Sequence, residues 1–144
     1  MNKKLKIYLI GAMRNKQIPR IAISLRKLGF DVFDDWHSPG KQTDEMWRKY
    51  EVRRGRSFKE ALSGEHAKNV FSFDKYHLDR SDIAILVLPA GRSGHMELGY
   101  MAGRKKKTFI LLQKKVNRFD IMYKFATDVV LTMNELKMAC LKLK

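Results

Sequence analysis

The stretch KIYLIGAMRNKQIPRIAISLRKLGFDVFD, residues 6–34, decides how the rest of the chain is read. Lys6–Gly11 is a continuous apolar run ending in glycine, the pattern of a strand covered on both faces. From Gln17 to Leu28 the apolar residues Ile18, Ile21, Ala22, Leu25 and Leu28 recur at helical spacing, and Gly29 follows where a helix stops. Pro19 falls in the first turn of that helix, where its missing N–H costs little. Phe30–Asp34 then reads as a second short strand.

The same alternation continues to the end of the chain. Asp35–Thr43 is turn chemistry, punctuated by Pro39-Gly40. Asp44–Leu62 and Glu65–Arg80 are expected helices, separated by Ser63-Gly64. Ile83–Leu88 is a β-branched apolar strand, closed by Pro89. Gly91–Gly94 reads as a glycine-rich loop, with a helix over Glu97–Gly103. Lys107–Leu112 is a fourth strand, Phe119–Phe125 a short helix, Asp128–Thr132 a fifth strand and Asn134–Leu143 a terminal helix. Strands alternating with helices predict an α/β fold: a single domain over 1–144, with a five-stranded parallel sheet and helices on both faces, flavodoxin- or Rossmann-like. Ligands in such sheets lie beyond the carboxyl ends of the strands, at the switch in strand order. The loops after Ile10, Phe33 and Leu88 are therefore the candidate site segments.

Composition excludes several classes. At 144 residues with 44% hydrophobic content, the chain is long and apolar enough for one real core. Its one cysteine, Cys140, rules out an internal disulfide and a cysteine-based zinc site, and the spacing of His37, His66, His77 and His95 suggests no metal. No stretch approaches the ~20 apolar residues of a membrane span. The basic start followed by Ile7–Ile10 is too short for a signal peptide and is interrupted by Arg14, so a cytoplasmic protein is expected. The net charge of +15 raises nucleic acid as a partner, which net charge alone does not establish.

The chemistry concentrates in Pro89-Ala90-Gly91-Arg92-Ser93-Gly94-His95-Met96-Glu97-Leu98-Gly99-Tyr100. With Ser93 or Gly94 as N-cap, Glu97 falls in the first helical turn, where the helix terminus favours its charge by ~0.3–1 kcal/mol. A plain capping box would explain it equally well. The unpaired N–H groups of a glycine-rich turn also suit a phosphate. Neither a nucleotide-triphosphate loop nor the dinucleotide Gly-x-Gly-x-x-Gly pattern is present.

Tyr8, Gly11-Ala12-Met13-Arg14, Asp74 eight residues before Asp82, and Gly-His-Met-Glu-Leu-Gly-Tyr at 94–100 occur in an order that resembles the nucleoside 2-deoxyribosyltransferase superfamily. That superfamily includes N-glycosidases of nucleoside 5′-monophosphates. The resemblance runs from about Lys6 to Leu112. It implies Glu97 as the nucleophile, Asp74 as the acid that positions the sugar and assists departure of the base, and Tyr8 as a hydroxyl orienting Glu97. It also implies that Gly11, Ala12, Met13 and Arg14, with Gly91, Arg92, Ser93 and Gly94, surround the sugar and its 5′-phosphate. Homodimers or larger homo-oligomers are implied, and no cofactor.

The chemistry of these residue types agrees. Breaking an N-glycosidic bond develops positive charge on the sugar, which a carboxylate stabilises or captures, while a second carboxyl protonates the leaving base. The family's transferases supply a carboxyl-terminal tail at the 5′-hydroxyl, whereas this chain ends Leu141-Lys142-Leu143-Lys144. Arg14 and Arg92 instead suit a phosphate, so a nucleoside 5′-monophosphate is the expected substrate. Base exchange is the alternative. A non-catalytic nucleotide or nucleic-acid binding module is the rival from another class.

Asp35 and Trp36 are candidates for contact with the base, and Trp47 for packing. Asp79 and Asp82 are expected at helix and strand termini, and Cys140 in the core. After Glu97 the chain carries 11 Lys and Arg against three acids, and a second basic cluster spans Arg48 to Lys59. A small substrate does not explain that excess.

Overall fold

The computed structural model describes residues 3–40, 42–115 and 119–144. Lys41, in the expected turn, and Arg118, in the basic tally, lie outside the described residues. Five strands, β1 (Lys6–Ile10), β2 (Asp31–Phe33), β3 (Ile83–Val87), β4 (Lys107–Leu111) and β5 (Asp128–Val130), form one sheet in the order β2-β1-β3-β4-β5. All the pairings are parallel. This is the flavodoxin-like doubly wound order, whose switch point lies between β1 and β3. The expected α/β architecture is observed.

Six α-helices cover the sheet among the described residues: α1 (Ile18–Lys27), α2 (Thr43–Arg53), α3 (Phe58–Leu62), α4 (Glu65–Asp79), α5 (Arg92–Gly103) and α6 (Met133–Leu141). Alternation along β1 sorts the core into two layers. Ile7 and Leu9 pack with α1 and α6, through Ile18, Ile21, Leu25, Leu136 and Cys140. Tyr8 and Ile10 face the other way, onto Leu78 of α4 and Leu98 and Met101 of α5. The central strand β3 is buried on both faces, which is why its sequence is uniformly apolar. Pro19 sits in the first turn of α1, and Gly29 follows that helix with φ +89°. That left-handed step is one a glycine takes without the Cβ penalty.

Two expectations are corrected. The single helix expected over Asp44–Leu62 is broken into α2 and α3. Gly55 turns left-handed (φ +71°), and Ser57 starts a new helix through a capping box with Glu60. The glycine-rich loop expected over Gly91–Gly94 is mostly helix: Gly91 is the N-cap of α5, and Arg92, Ser93 and Gly94 lie in its first turn. Gly94 is there for packing, because a Cβ would come to 3.1 Å from Ile10 Cγ2 and from Leu86 Cδ1. Its missing side chain lets α5 lie directly against β1 and β3.

Candidate active site

The start of α5 at Arg92 moves Glu97 to the sixth helical position, beyond the first turn in which it was expected. There it cannot cap the helix, and the terminal dipole contributes little, since that effect fades within the first turn. The capping-box explanation of Glu97 fails on this geometry. Instead α5 carries Glu97 along the sheet face onto which β1 directs Tyr8 and against which α4 packs.

The charge of Asp74 acts on both Glu97 and Tyr8, and that of Glu97 on Tyr8. Burial, and next the charge of Asp74, push the Glu97 carboxyl from its ordinary 4.5 up to about 7. Asp74 on α4 is half-buried and also raised, first by burial and then by Asp44. Tyr8 is 1% exposed and packs on Phe33 at 5.1 Å between ring centroids. Burial, then Glu97, then Asp74 drive its phenol far above the ordinary range, so the hydroxyl keeps its proton and remains a hydrogen-bond donor. Two carboxyls that resist simultaneous ionisation, beside a protonated phenol, form a set able to exchange one proton.

Asp44, in the first turn of α2, was missed in the sequence. An acid in a first helical turn is ordinary, and only the folded chain shows that its charge reaches Asp74. Glu51, nine-tenths buried and beside Arg56 at 3.3 Å, was missed too. With Asp44, Trp47 and Ser93 it lines a cleft of about 510 Å³. The buried Trp47 Nε1 has no hydrogen-bond partner among the described residues.

A second cleft, of about 530 Å³, lies between the loop after β1 and the loop after β3. Ala12 and Arg14 line one wall, and Pro89, Ala90 and Gly91 the other. The first turn of α5 follows the second of these loops, so its unpaired N–H groups and an exposed arginine occupy the same end of the sheet.

The remaining candidates are placed as follows. Gly11 allows the chain to turn closely over α1, since a Cβ would meet Ile18 Cδ1 at 2.6 Å. Met13 is half-buried in the loop after β1, and Arg92 and Ser93 are exposed on α5. Gly94 is buried under α5, so the expectation that it reaches a phosphate gives way to its packing on Ile10 and Leu86. Trp36 donates its Nε1–H to the Leu9 carbonyl at 2.7 Å and packs against both core layers, which gives it a structural task. Asp35 is exposed on a one-turn 3-10 helix, where its charge acts on His77.

His95 is held by the Gly91 carbonyl at 2.7 Å and the Tyr123 hydroxyl at 2.8 Å. Asp79 pairs with Lys75, Arg104 and the Tyr100 hydroxyl, and Asp82 accepts the Lys6 N–H. Both acids thus belong to helix and strand termini, and Cys140 is buried in the core. Among the described residues no group of three or more His, Cys, Asp or Glu could hold a metal, and no helix is long and apolar enough to cross a membrane.

No family model and no curated protein matches the chain. Solved structures do. A 2-deoxyribosyltransferase from the psychrotolerant bacterium Bacillus psychrosaccharolyticus superposes with a TM-score of 0.61 at 19% identity, over 92% of this chain and 90% of that one. The Clostridium botulinum CMP N-glycosidase BcmB superposes with a TM-score of 0.56 at 15% identity, over 94% and 97%. This chain has their fold. At these identities the likeness speaks for the fold alone.

Proposed function

We propose that this protein is an N-glycosidase that cleaves nucleoside 5′-monophosphates, 2′-deoxy ones above all, into free base and sugar phosphate. The observation that carries the reading is the grouping of Tyr8, Asp74 and Glu97 on one face of the sheet, where the charge of Asp74 acts on the other two and Glu97 is raised to about 7. The fold shared with a CMP N-glycosidase supports it.

The reaction runs in two balanced steps. The two carboxyls share one proton, and the reaction draws on the arrangement in which it has moved from Glu97 to Asp74: ionised Glu97 attacks the anomeric carbon, a C–O bond to Glu97 forms as the C–N bond breaks, and protonated Asp74 gives its proton to the leaving base. Water then attacks the same carbon, Asp74 takes the water's proton, and Glu97 leaves as carboxylate. The Tyr8 hydroxyl donates to the Glu97 carboxylate and holds it under the sugar. Developing positive charge on the sugar favours the ionised Glu97 that burial alone disfavours. Arg14 and the N–H groups at the start of α5 receive the 5′-phosphate.

A second reading, transfer of the sugar to an acceptor base, shares the first step and draws on the fold shared with a 2-deoxyribosyltransferase. Self-association belongs to the proposal, supported by the exposed Phe58, Phe71, Phe73 and Tyr76 on α3 and α4. The test is incubation with paired nucleosides and 5′-monophosphates, with and without an acceptor base, followed by chromatography of released base. Release from monophosphates without acceptor is expected. Turnover only with an acceptor would establish exchange instead.

A further inference from the structure

We infer that the amino-terminal edge of the sheet, opposite the end where the Arg14 cleft opens, is a docking surface for the phosphate backbone of a nucleic acid. In a parallel sheet the covering helices run back against the strands, so their carboxyl ends gather at this edge. A hollow of about 880 Å³ opens there, with Lys3, Lys4, Lys6, Arg26, Arg80 and Lys106 in its lining. Its acids are Asp31, Asp79 and Asp82. Asp79 is taken up by Lys75 at 2.7 Å and lies 3.7 Å from Arg104, and Asp82 accepts the Lys6 N–H at 2.9 Å.

Part of this charge has a structural cause. Arg26 lies in the last turn of α1, Arg80 and Arg104 are the C-caps of α4 and α5, and cations at those positions offset the helix dipole. Arg26 is further engaged by Asp34 at 2.5 Å. Lys3, Lys4 and Lys6 have no such cause: they precede or begin β1, off any helix. Lys106 and Lys107 likewise precede and begin β4. Among the described residues none of Lys3, Lys4, Lys6 and Lys106 makes an ion pair.

The turn into β4 reads Arg104-Lys105-Lys106-Lys107, and Lys105 adopts φ 60°. In that left-handed region a side chain costs ~1 kcal/mol or more relative to glycine. Four consecutive cations therefore stand in a turn whose backbone favours another residue. Like charges crowded on one edge repel, and a polyanion relieves them.

The layout selects the partner. A single phosphate needs one or two cations, whereas these come from four segments of chain and suit several phosphates along one strand. None of the exposed large apolar side chains lines the hollow. Phe30, in its floor, is 3% exposed beneath the Lys144 ammonium at 4.8 Å. A membrane-seeking surface would present apolar groups there. This surface is independent of the proposed glycosidase reaction and explains charge that a mononucleotide does not use.

The test is fluorescence anisotropy with a labelled mixed-sequence DNA strand of about 20 nucleotides, over salt from about 50 to 200 mM. Wild type is expected to bind with a log–log salt slope of about −3 or steeper, at ~0.7 per phosphate contact for a single strand. The variant Lys3→Glu, Lys4→Glu, Lys6→Glu, Lys106→Glu is expected to bind at least tenfold more weakly, with most of the slope gone. A control reversing Lys49, Arg53, Lys59 and Lys68 changes net charge equally and is expected to keep most of the binding. Circular dichroism and melting establish that both are folded, and Lys3→Ala with Lys4→Ala replaces the first set if it does not fold. Four results would overturn the inference: no wild-type binding at the lowest salt, equal loss in both charge-reversed proteins, inorganic polyphosphate competing as well as DNA at equal phosphate, or tighter binding to anionic phospholipid vesicles.

Discussion

Replacing Glu97 by glutamine removes the charge that the interior resists and leaves nearly the same volume. The native carboxyl titrates at about 7 against an ordinary value of 4.5, because it is buried and because Asp74 is close. In the unfolded chain it titrates near the ordinary value. Between the two, the native state holds a proton that the unfolded chain has released, so this group lowers stability by ~1.4 kcal/mol per pH unit as pH rises. The penalty is absent below the unfolded value and complete above the folded one, where it reaches about 3 kcal/mol. Glu97→Gln abolishes it. Urea denaturation of both proteins is expected to show the variant more stable by about 3 kcal/mol near pH 8, the gap narrowing to under ~1 kcal/mol near pH 5. In thermal melts the alkaline gap corresponds to roughly 10 °C for a domain of this size. A gap that does not change with pH, or a variant less stable than wild type near pH 8, would refute the claim that Glu97 sits in an unfavourable buried site. The gain in stability is expected to accompany loss of base release, the exchange seen where an active site stores strain.

Other substitutions probe the same arrangement. Tyr8→Phe keeps the ring against Phe33 and deletes only the hydroxyl, so melting is expected to change little while kcat for base release falls ~10–100-fold, the worth of a hydrogen bond to a charged group. Asp44→Asn removes a charge that raises Asp74, so the limb of the kcat–pH profile on which Asp74 loses its proton is expected to move to lower pH. Gly94→Ala places a methyl 3.1 Å from Ile10 and Leu86, which is expected to cost ~1–3 kcal/mol in urea denaturation and to lower kcat by displacing α5.

The fold was largely legible because its signals are local. A double-faced apolar strand, an amphipathic helix and a glycine stop announce themselves within residues 6–34, and β3 and β4 repeat the first of these. The break at Gly55 was also written locally, in a glycine followed by Ser57 and Glu60 at capping-box spacing, yet the helical run over Asp44–Leu62 masked it. The start of α5 was not local. Gly94 looks like loop glycine until Ile10 and Leu86, some eighty and eight residues earlier, are seen packed against it. The same error set Glu97 in a first turn, where a capping box accounted for it. Its perturbed carboxyl comes from burial and Asp74, neither of which spacing reveals. The hydrogen bond of Trp36 was equally hidden, because its partner is the backbone carbonyl of Leu9, 27 positions away.

The central claim is that the Glu97 carboxylate breaks the bond between sugar and base. The most direct measurement compares base release from 2′-deoxynucleoside 5′-monophosphates by wild type and Glu97→Gln near pH 6, where the carboxyl pair still holds one proton, under conditions where both are folded. The account predicts release by wild type and a loss of at least ~10³-fold in the variant, with its greater stability as proof of folding. Release by Glu97→Gln at the wild-type rate would contradict it.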